Sequence, residues 1–242
     1  ADDGSFYFVM ELLEGLDLES LIDRFGSLPA ERAVYLAIQA SDSLAEAHQR
    51  GMIHRDIKPS NIHTCRMGLE VDFVKVLDFG LVKADRLSDR DLTKLTSPEL
   101  TTGTPAFMAP EMIEEGRPVD ARVDVYAMGC LIYWMLTGQL VFDAVNAVAM
   151  MMKHVRDKPA PPSLRCEEPV PPELDELVMA CLSKDPDDRP RDAADLARRL
   201  AAISLPQPWN QERASEWWRT HLADLHPEAD PPNLAMAAGP AA

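Results

Sequence analysis

Apolar and polar positions along the chain follow two rhythms, and the helical one dominates. Residues 6–13 form a short, mostly apolar run that predicts a buried strand. Leu18, Leu21, Ile22 and Phe25 then fall at i, i+3, i+4 and i+7, one face of a helix that Gly26 ends. A longer helix follows, with Pro29 near its first turn, Gly51 just past its end, and Val34, Ala37, Ile38, Leu44 and Ala45 on its inner stripe. Between 52 and 80 the helical period breaks, and Met52-Ile53 and residues 73–77 read as short strands around polar loops. Residues 84–103 show no period at all. A polar loop of that length inside a compact domain predicts a functional or mobile segment.

The second half returns to the helical period. Residues 123–137 are apolar on nearly every face, which predicts a central helix closed by Gly138. Further helices are expected at 145–156, 173–182 and 193–203, with a proline-rich linker at 159–162. After Pro206 and Pro208 comes an amphipathic segment, 211–225, carrying Trp217, Trp218 and Leu222. The Ala/Gly/Pro-rich end, 231–242, is expected to be disordered. There is no internal repeat.

Composition narrows the class. With 242 residues, 46% hydrophobic and 26% charged, the chain reads as one good-sized globular domain or two small ones. A formal net charge of −16 argues against nucleic acid or an anionic membrane as partner, because both need an excess of Lys and Arg. Cys65, Cys130, Cys166 and Cys181 lie far apart with no C-x-x-C pair, so neither a disulfide framework nor a zinc site is expected. The longest apolar run, 125–136, is interrupted by Gly129 and is too short for a bilayer. That cysteine usage makes a reducing cytoplasm the expected location, and Ala1-Asp2-Asp3-Gly4, with no basic or apolar region, reads as no signal peptide.

The candidate chemistry is concentrated in His54-Arg55-Asp56-Ile57-Lys58-Pro59-Ser60-Asn61, followed by Asp78-Phe79-Gly80. A carboxylate, a cation and an amide within six residues could be a solvated turn. Set between apolar strand-like pieces, they supply what phosphoryl transfer needs. That inventory is an acid to orient a hydroxyl, a cation for the phosphate and oxygen ligands for a divalent metal.

These motifs, followed by Gly103-Thr104-Pro105 and Ala109-Pro110-Glu111, resemble the ordered signature of eukaryotic-type (Hanks-type) serine/threonine protein kinases. The resemblance covers residues 6 to about 205. It implies a mainly α fold, the α+β kinase fold, with short β pieces around the catalytic loop. The boundaries it implies are 1–17 for the last N-lobe strand and hinge, and 18–205 for the C-lobe. Residues 206–230 then form a C-terminal amphipathic extension and 231–242 a disordered tail.

The same resemblance implies the roles. Asp56 matches the aspartate that takes the substrate hydroxyl's proton, Lys58 the lysine on the γ-phosphate, and Thr104 the threonine that helps select Ser/Thr acceptors. Asn61 and Asp78 match the two Mg²⁺ ligands. Met10 matches the gatekeeper; backbone groups of Glu11 and Leu13 would bond adenine, Asp17 would reach the ribose, and His63 would form the pocket floor, where the family usually has an apolar residue. Glu111 and Arg189 match a buried ion pair, Asp124 a brace for the catalytic loop, and His54 and Phe79 packing residues. Arg55 before the catalytic aspartate marks kinases switched on by loop phosphorylation, with Thr93, Thr96, Ser97, Thr101 and Thr102 as candidate acceptors.

The implied cofactors are ATP and Mg²⁺, and the implied partners are protein substrates, with possible self-association or autophosphorylation. No G-x-G-x-x-G occurs in the chain, so the expectation is a C-lobe whose N-lobe elements lie outside it. A catalytically inactive fragment acting as a binding module and a small-molecule phosphotransferase of the aminoglycoside or choline kinase type are the rival readings. The segment from Gly103 to Glu111, with Arg189, speaks against the second rival.

Overall fold

The computed structural model of the chain describes residues 11–79 and 104–222, Thr104 by its backbone alone. A three-stranded antiparallel sheet, β1 (Gly15–Asp17), β2 (Ile62–Met67) and β3 (Glu70–Val76), runs in the order β1-β2-β3. Eight α-helices accompany it among the described residues: α1 (Leu18–Phe25), α2 (Ala30–Gln49), α3 (Pro110–Ile113), α4 (Arg122–Thr137), α5 (Ala147–Arg156), α6 (Pro172–Cys181), α7 (Ala193–Ala201) and α8 (Gln211–His221). Four 3₁₀ turns complete the frame: Pro59–Asn61, Thr104–Phe107, Pro162–Leu164 and Pro186–Asp188. The fold is mainly helical, as the periodicity predicts.

Helix α4 is the axis. All its residues from Val123 to Leu136 are buried, which accounts for its lack of an apolar stripe. It packs against α2, α6 and α7. A Cβ at Gly129 would lie 2.6 Å from the Cβ of Cys181, so glycine permits the close approach of α4 and α6. Gly138, at φ 65°, ends the helix in the left-handed region that its missing Cβ tolerates. Leu131 at the helix centre is fully buried; truncating such a residue to alanine typically costs about 2–5 kcal/mol.

Caps set the other boundaries. Asp17 caps α1, Asn146 caps α5, Asp192 caps α7 and Asn210 caps α8, each accepting a backbone N–H near the start of its helix. The Asn146 cap explains why α5 starts at Ala147, two residues later than the apolar pattern suggests; α8 ends at His221, earlier than expected. Met52-Ile53 is not a strand. Met52 donates its N–H back to the carbonyl of Ala47, so the chain there finishes α2 and forms no ladder. Residues 11–13 of the expected first strand are irregular; the rest of it, like the 84–103 loop and the 231–242 tail, lies outside the described residues.

Candidate active site

The predicted catalytic loop, residues 54–61, is short and irregular, so its shape depends on side chains from other elements. Arg55 sits at φ 65°, a conformation that costs a non-glycine residue about 1–3 kcal/mol unless its surroundings impose it. Asp124, in the first turn of α4, imposes it. Its Oδ2 accepts the His54 N–H at 2.9 Å and its Oδ1 the Arg55 N–H at 2.8 Å, while His48 Nε2 lies 2.8 Å from Oδ2. His54 is then placed by its own ring. Nε2 is 2.7 Å from the carbonyl of Leu77, so Nε2 carries the proton and Nδ1 accepts the Asp56 N–H at 3.3 Å. The ring of Phe79 meets His54 edge-on, centroids 4.8 Å apart.

Asp56 emerges from this scaffold with its two oxygens in different states. Oδ2 accepts Lys58 Nζ at 2.8 Å and Asn61 Nδ2 at 3.2 Å. Among the described residues no bond is made to Oδ1. Asn61 Nδ2 also donates to the Asp56 carbonyl at 2.8 Å, which turns Asn61 Oδ1 away from the loop. The Pro59–Asn61 turn buries Asn61, and the Asn61 carbonyl accepts the Leu77 N–H at 2.8 Å. That bond ties β3's exit to the catalytic loop one residue before Asp78, which is exposed at φ 62°. Two oxygen donors of this kind suit Mg²⁺, which usually takes one or two protein oxygens and fills its octahedron with phosphate and water.

The predicted nucleotide side lies along β1 and β2. Asp17 and His63 are Cα partners across those strands. Burial lowers the pKa of His63, opposed by the nearby Asp17 carboxylate and a backbone bond to Leu13, and His63 Nε2 is buried with no hydrogen-bond partner. The imidazole is therefore a neutral, half-buried surface beside Leu13. Asp17 already has a structural duty: Oδ1 accepts Ser20 N–H at 2.8 Å and Oδ2 accepts the Ser20 hydroxyl at 2.8 Å, capping α1. The Glu11 carboxylate pairs with Lys75, the residue opposite His63 on β3. Met10, Gly80, the Thr104 side chain and all five candidate phosphoacceptors lie outside what is described.

Below the loop, Arg189 forks onto Glu111 with Nη1–Oε1 at 2.6 Å and Nη2–Oε2 at 2.8 Å, both groups being almost wholly buried. Arg189 also donates to the carbonyls of Ser183, Arg122 and Lys184, so every guanidinium hydrogen has an acceptor. This pair fixes α3, which follows the Thr104–Phe107 turn. Arg55 and Asp56 face that turn across a water-sized cavity also lined by Phe107 and Met108. Arg55 Nε is buried there with no partner among the described residues.

Sequence reasoning passed over His48, whose contact with Asp124 spans 76 residues and leaves no local signal. It also passed over Arg32 and Asp72, a fully buried ion pair linking α2 to β3.

The profile of the protein kinase domain matches residues 1–200. The chain belongs to the protein kinase domain family. The serine/threonine-protein kinase Pkn3 of Myxococcus xanthus is 38% identical over 204 residues, 84% of this chain and 37% of that protein. The serine/threonine-protein kinase PknB of Mycobacterium leprae is 37% identical over 202 residues, 84% of this chain and 31% of that protein. The chain thus spans about a third of the length of the curated relatives it matches. A structure of Rad53 1-466 in complex with AMP-PNP has a TM-score of 0.62 at 25% identity, covering 80% of this chain and 46% of that one. No helix among the described residues is long and apolar enough to cross a membrane.

Proposed function

We propose that this chain supplies the C-terminal lobe of a serine/threonine protein kinase and carries the residues that transfer the γ-phosphate of ATP to a protein hydroxyl. The observation that carries the reading is the Asp56–Lys58–Asn61 arrangement. Asp56 keeps Oδ1 available to receive and orient an acceptor hydroxyl, while Lys58, 2.8 Å from Oδ2, sets a cation beside the point of transfer. Asn61 Oδ1 and Asp78 are the oxygens that would hold Mg²⁺, which neutralises the phosphate charge that builds up during transfer. The family match and the curated serine/threonine kinases that align with 84% of the chain support the same assignment.

Leu13, Asp17 and His63 form the shelf for the base and ribose, beside Glu11. A neutral His63 suits this position, because a neutral ring can stack on adenine without a charge to desolvate. Thr104 belongs beside Asp56 and Lys58 in this reading. Arg55, with its unpartnered Nε, is the receptor for a phosphate on the 93–102 segment.

The test is made in the longest natural form of the protein that contains this chain. Asp56→Asn is expected to lower kcat by about 10²–10⁴-fold, the range for a positioned general base. Asp78→Asn is expected to abolish Mg²⁺-dependent turnover. Near-wild-type phosphorylation of a protein substrate by either variant would sink the role assignments and favour the binding-module reading. Phosphatase treatment of the active protein should lower its activity, with mass spectrometry locating the lost phosphate between Thr93 and Thr102.

A further inference from the structure

Residues beyond 200 lie outside the family match, yet α8 packs directly on β3. The junction is built around one buried carboxylate. Asp72 Oδ1 accepts Arg32 Nη2 at 2.7 Å and Trp218 Nε1 at 2.6 Å; Oδ2 accepts Arg32 Nε at 2.9 Å and Trp209 Nε1 at 3.0 Å. Four donors from two distant segments satisfy a side chain with no exposed surface. The Arg32 guanidinium also lies 3.7 Å from the centroid of the Trp217 ring, and Trp217 meets Phe25 of α1 edge-on at 5.0 Å.

The same segment closes a sheet edge. Among the described residues β3 has a strand, β2, on one side only, so its outer N–H and C=O groups need partners. Gln211 supplies them at Val71, accepting its N–H at 3.0 Å and donating to its carbonyl at 2.9 Å, with a further bond to the Tyr35 hydroxyl at 2.7 Å. Gln39 of α2 does likewise for Val74 N–H and the Asp72 carbonyl. Val71, Ala214, Trp218 and Leu222 then form a small apolar cluster, with Leu16 and Phe25 packed on it. Leu16 immediately precedes Asp17, and Phe25 ends the helix that Asp17 caps.

We infer that residues 209–222 brace the nucleotide shelf, with Asp72, Trp218 and Gln211 as positioning residues that hold β1 and β2 in register beneath the base and ribose. The inference rests on the kinase reading for the identity of the ligand, but the brace itself can be read without any ligand.

The experiment pairs amide hydrogen exchange with steady-state kinetics on three forms of the longest natural protein: a truncation after Leu205, Trp218→Phe and Asp72→Asn. Trp218→Phe keeps a ring in place and removes one N–H. Asp72→Asn keeps a residue that tolerates the left-handed φ of 53° and removes the charge. Without nucleotide, exchange at residues 13–17 and 62–67 is expected to accelerate at least about ten-fold in the truncated form, with α4 amides unchanged. KM for ATP is expected to rise about five-fold in each point variant, the scale of one lost hydrogen bond, with the effect on kcat smaller than that on KM.

Unchanged exchange at 13–17 and 62–67 overturns the brace. Faster exchange there with an unaltered KM overturns its role at the nucleotide site while leaving the kinase reading intact. Equal losses of kcat and activity-competent protein with KM unaltered would make the contact merely structural, which also overturns the inference. If truncation unfolds the protein, Trp218→Phe decides the matter. A wild-type protein that binds no ATP would sink the kinase reading, and the exchange data would still judge the brace.

Discussion

Asp124 and Asp72 are both fully buried aspartates, and the protein compensates their charges in different ways. Asp124 accepts two backbone N–H groups and a histidine ring nitrogen, with no arginine or lysine among these partners. Asp72 is gripped by a bidentate guanidinium and two indoles. The first arrangement converts a carboxylate into backbone geometry, because each oxygen fixes one peptide of the catalytic loop. The second converts it into long-range cohesion, since its partners lie 40, 137 and 146 residues away. At Asp124 the bonds to peptide N–H groups shape a strained loop; at Asp72 the guanidinium and indoles fasten segments together.

That contrast breaks most visibly at Asp72. Asp72→Ala leaves Arg32, itself almost wholly buried, as an uncompensated cation, and also strips two indole N–H groups of their acceptor. The expected loss of stability is about 3–5 kcal/mol, read from denaturant unfolding. Adding Arg32→Met should recover part of that loss, because it removes the orphaned charge. A double variant no more stable than Asp72→Ala would show that Arg32 is not what makes the site expensive to disrupt.

Asp124→Asn should behave differently. An amide at this position can still accept one loop N–H but turns a donor toward the other, so Arg55 is released from its unfavourable φ. Displacement of the catalytic loop by about 1 Å is expected to lower kcat by about 10²-fold. Stability should fall by only about 1–3 kcal/mol, the range for one unsatisfied buried donor. An Asp124→Asn protein with near-normal kcat would mean that His48 or the loop's own packing holds the geometry.

The two aspartates also mark what was legible in the sequence. Helices α1, α2, α4 and α7 were readable because each carries an unbroken apolar pattern with a cap or glycine at its end. Asp124's hold on the 54–61 loop and the Glu111–Arg189 pair were readable through motifs with fixed order and spacing. The Asp72 site was not. Arg32 sits on an ordinary helix, Asp72 just before the residues that read as a short strand, Trp217 and Trp218 read only as part of an amphipathic segment, and Trp209 precedes that segment with no pattern of its own. Nothing local joins them, because the information is in the fold that brings β3 against α8. Asp17 shows the converse, as a motif suggests a ribose contact while the carboxylate also serves as a helix cap. Met52-Ile53 was misread as a strand because two apolar residues cannot distinguish a ladder from a helix exit.

A third buried polar group, His154 on α5, tests how far a half-satisfied site can be tolerated. Its Nδ1 lies 2.8 Å from the Tyr126 hydroxyl, its Nε2 has no hydrogen-bond partner, and the ring of Phe142 meets it edge-on. Burial, reinforced by the nearby Lys184 ammonium and opposed only by a contact with the Ala106 backbone, pushes its pKa from 6.5 down to about 3. The folded protein therefore keeps the ring neutral where the unfolded chain would protonate it. Below pH 6.5 the unfolded state binds the extra proton, so stability falls as pH drops from 6.5 toward 3 and is fully restored above 6.5. At pH 5 this one group should account for about 2 kcal/mol of lost stability, 1.5 pH units at 1.36 kcal/mol each. His154→Gln offers Tyr126 a polar partner without a titrating nitrogen. Its unfolding free energy should consequently depend less on pH between 6.5 and 5, by that same amount, in parallel denaturant titrations. An identical slope in both proteins would show that His154 takes up its proton in the native state as readily as in the unfolded one.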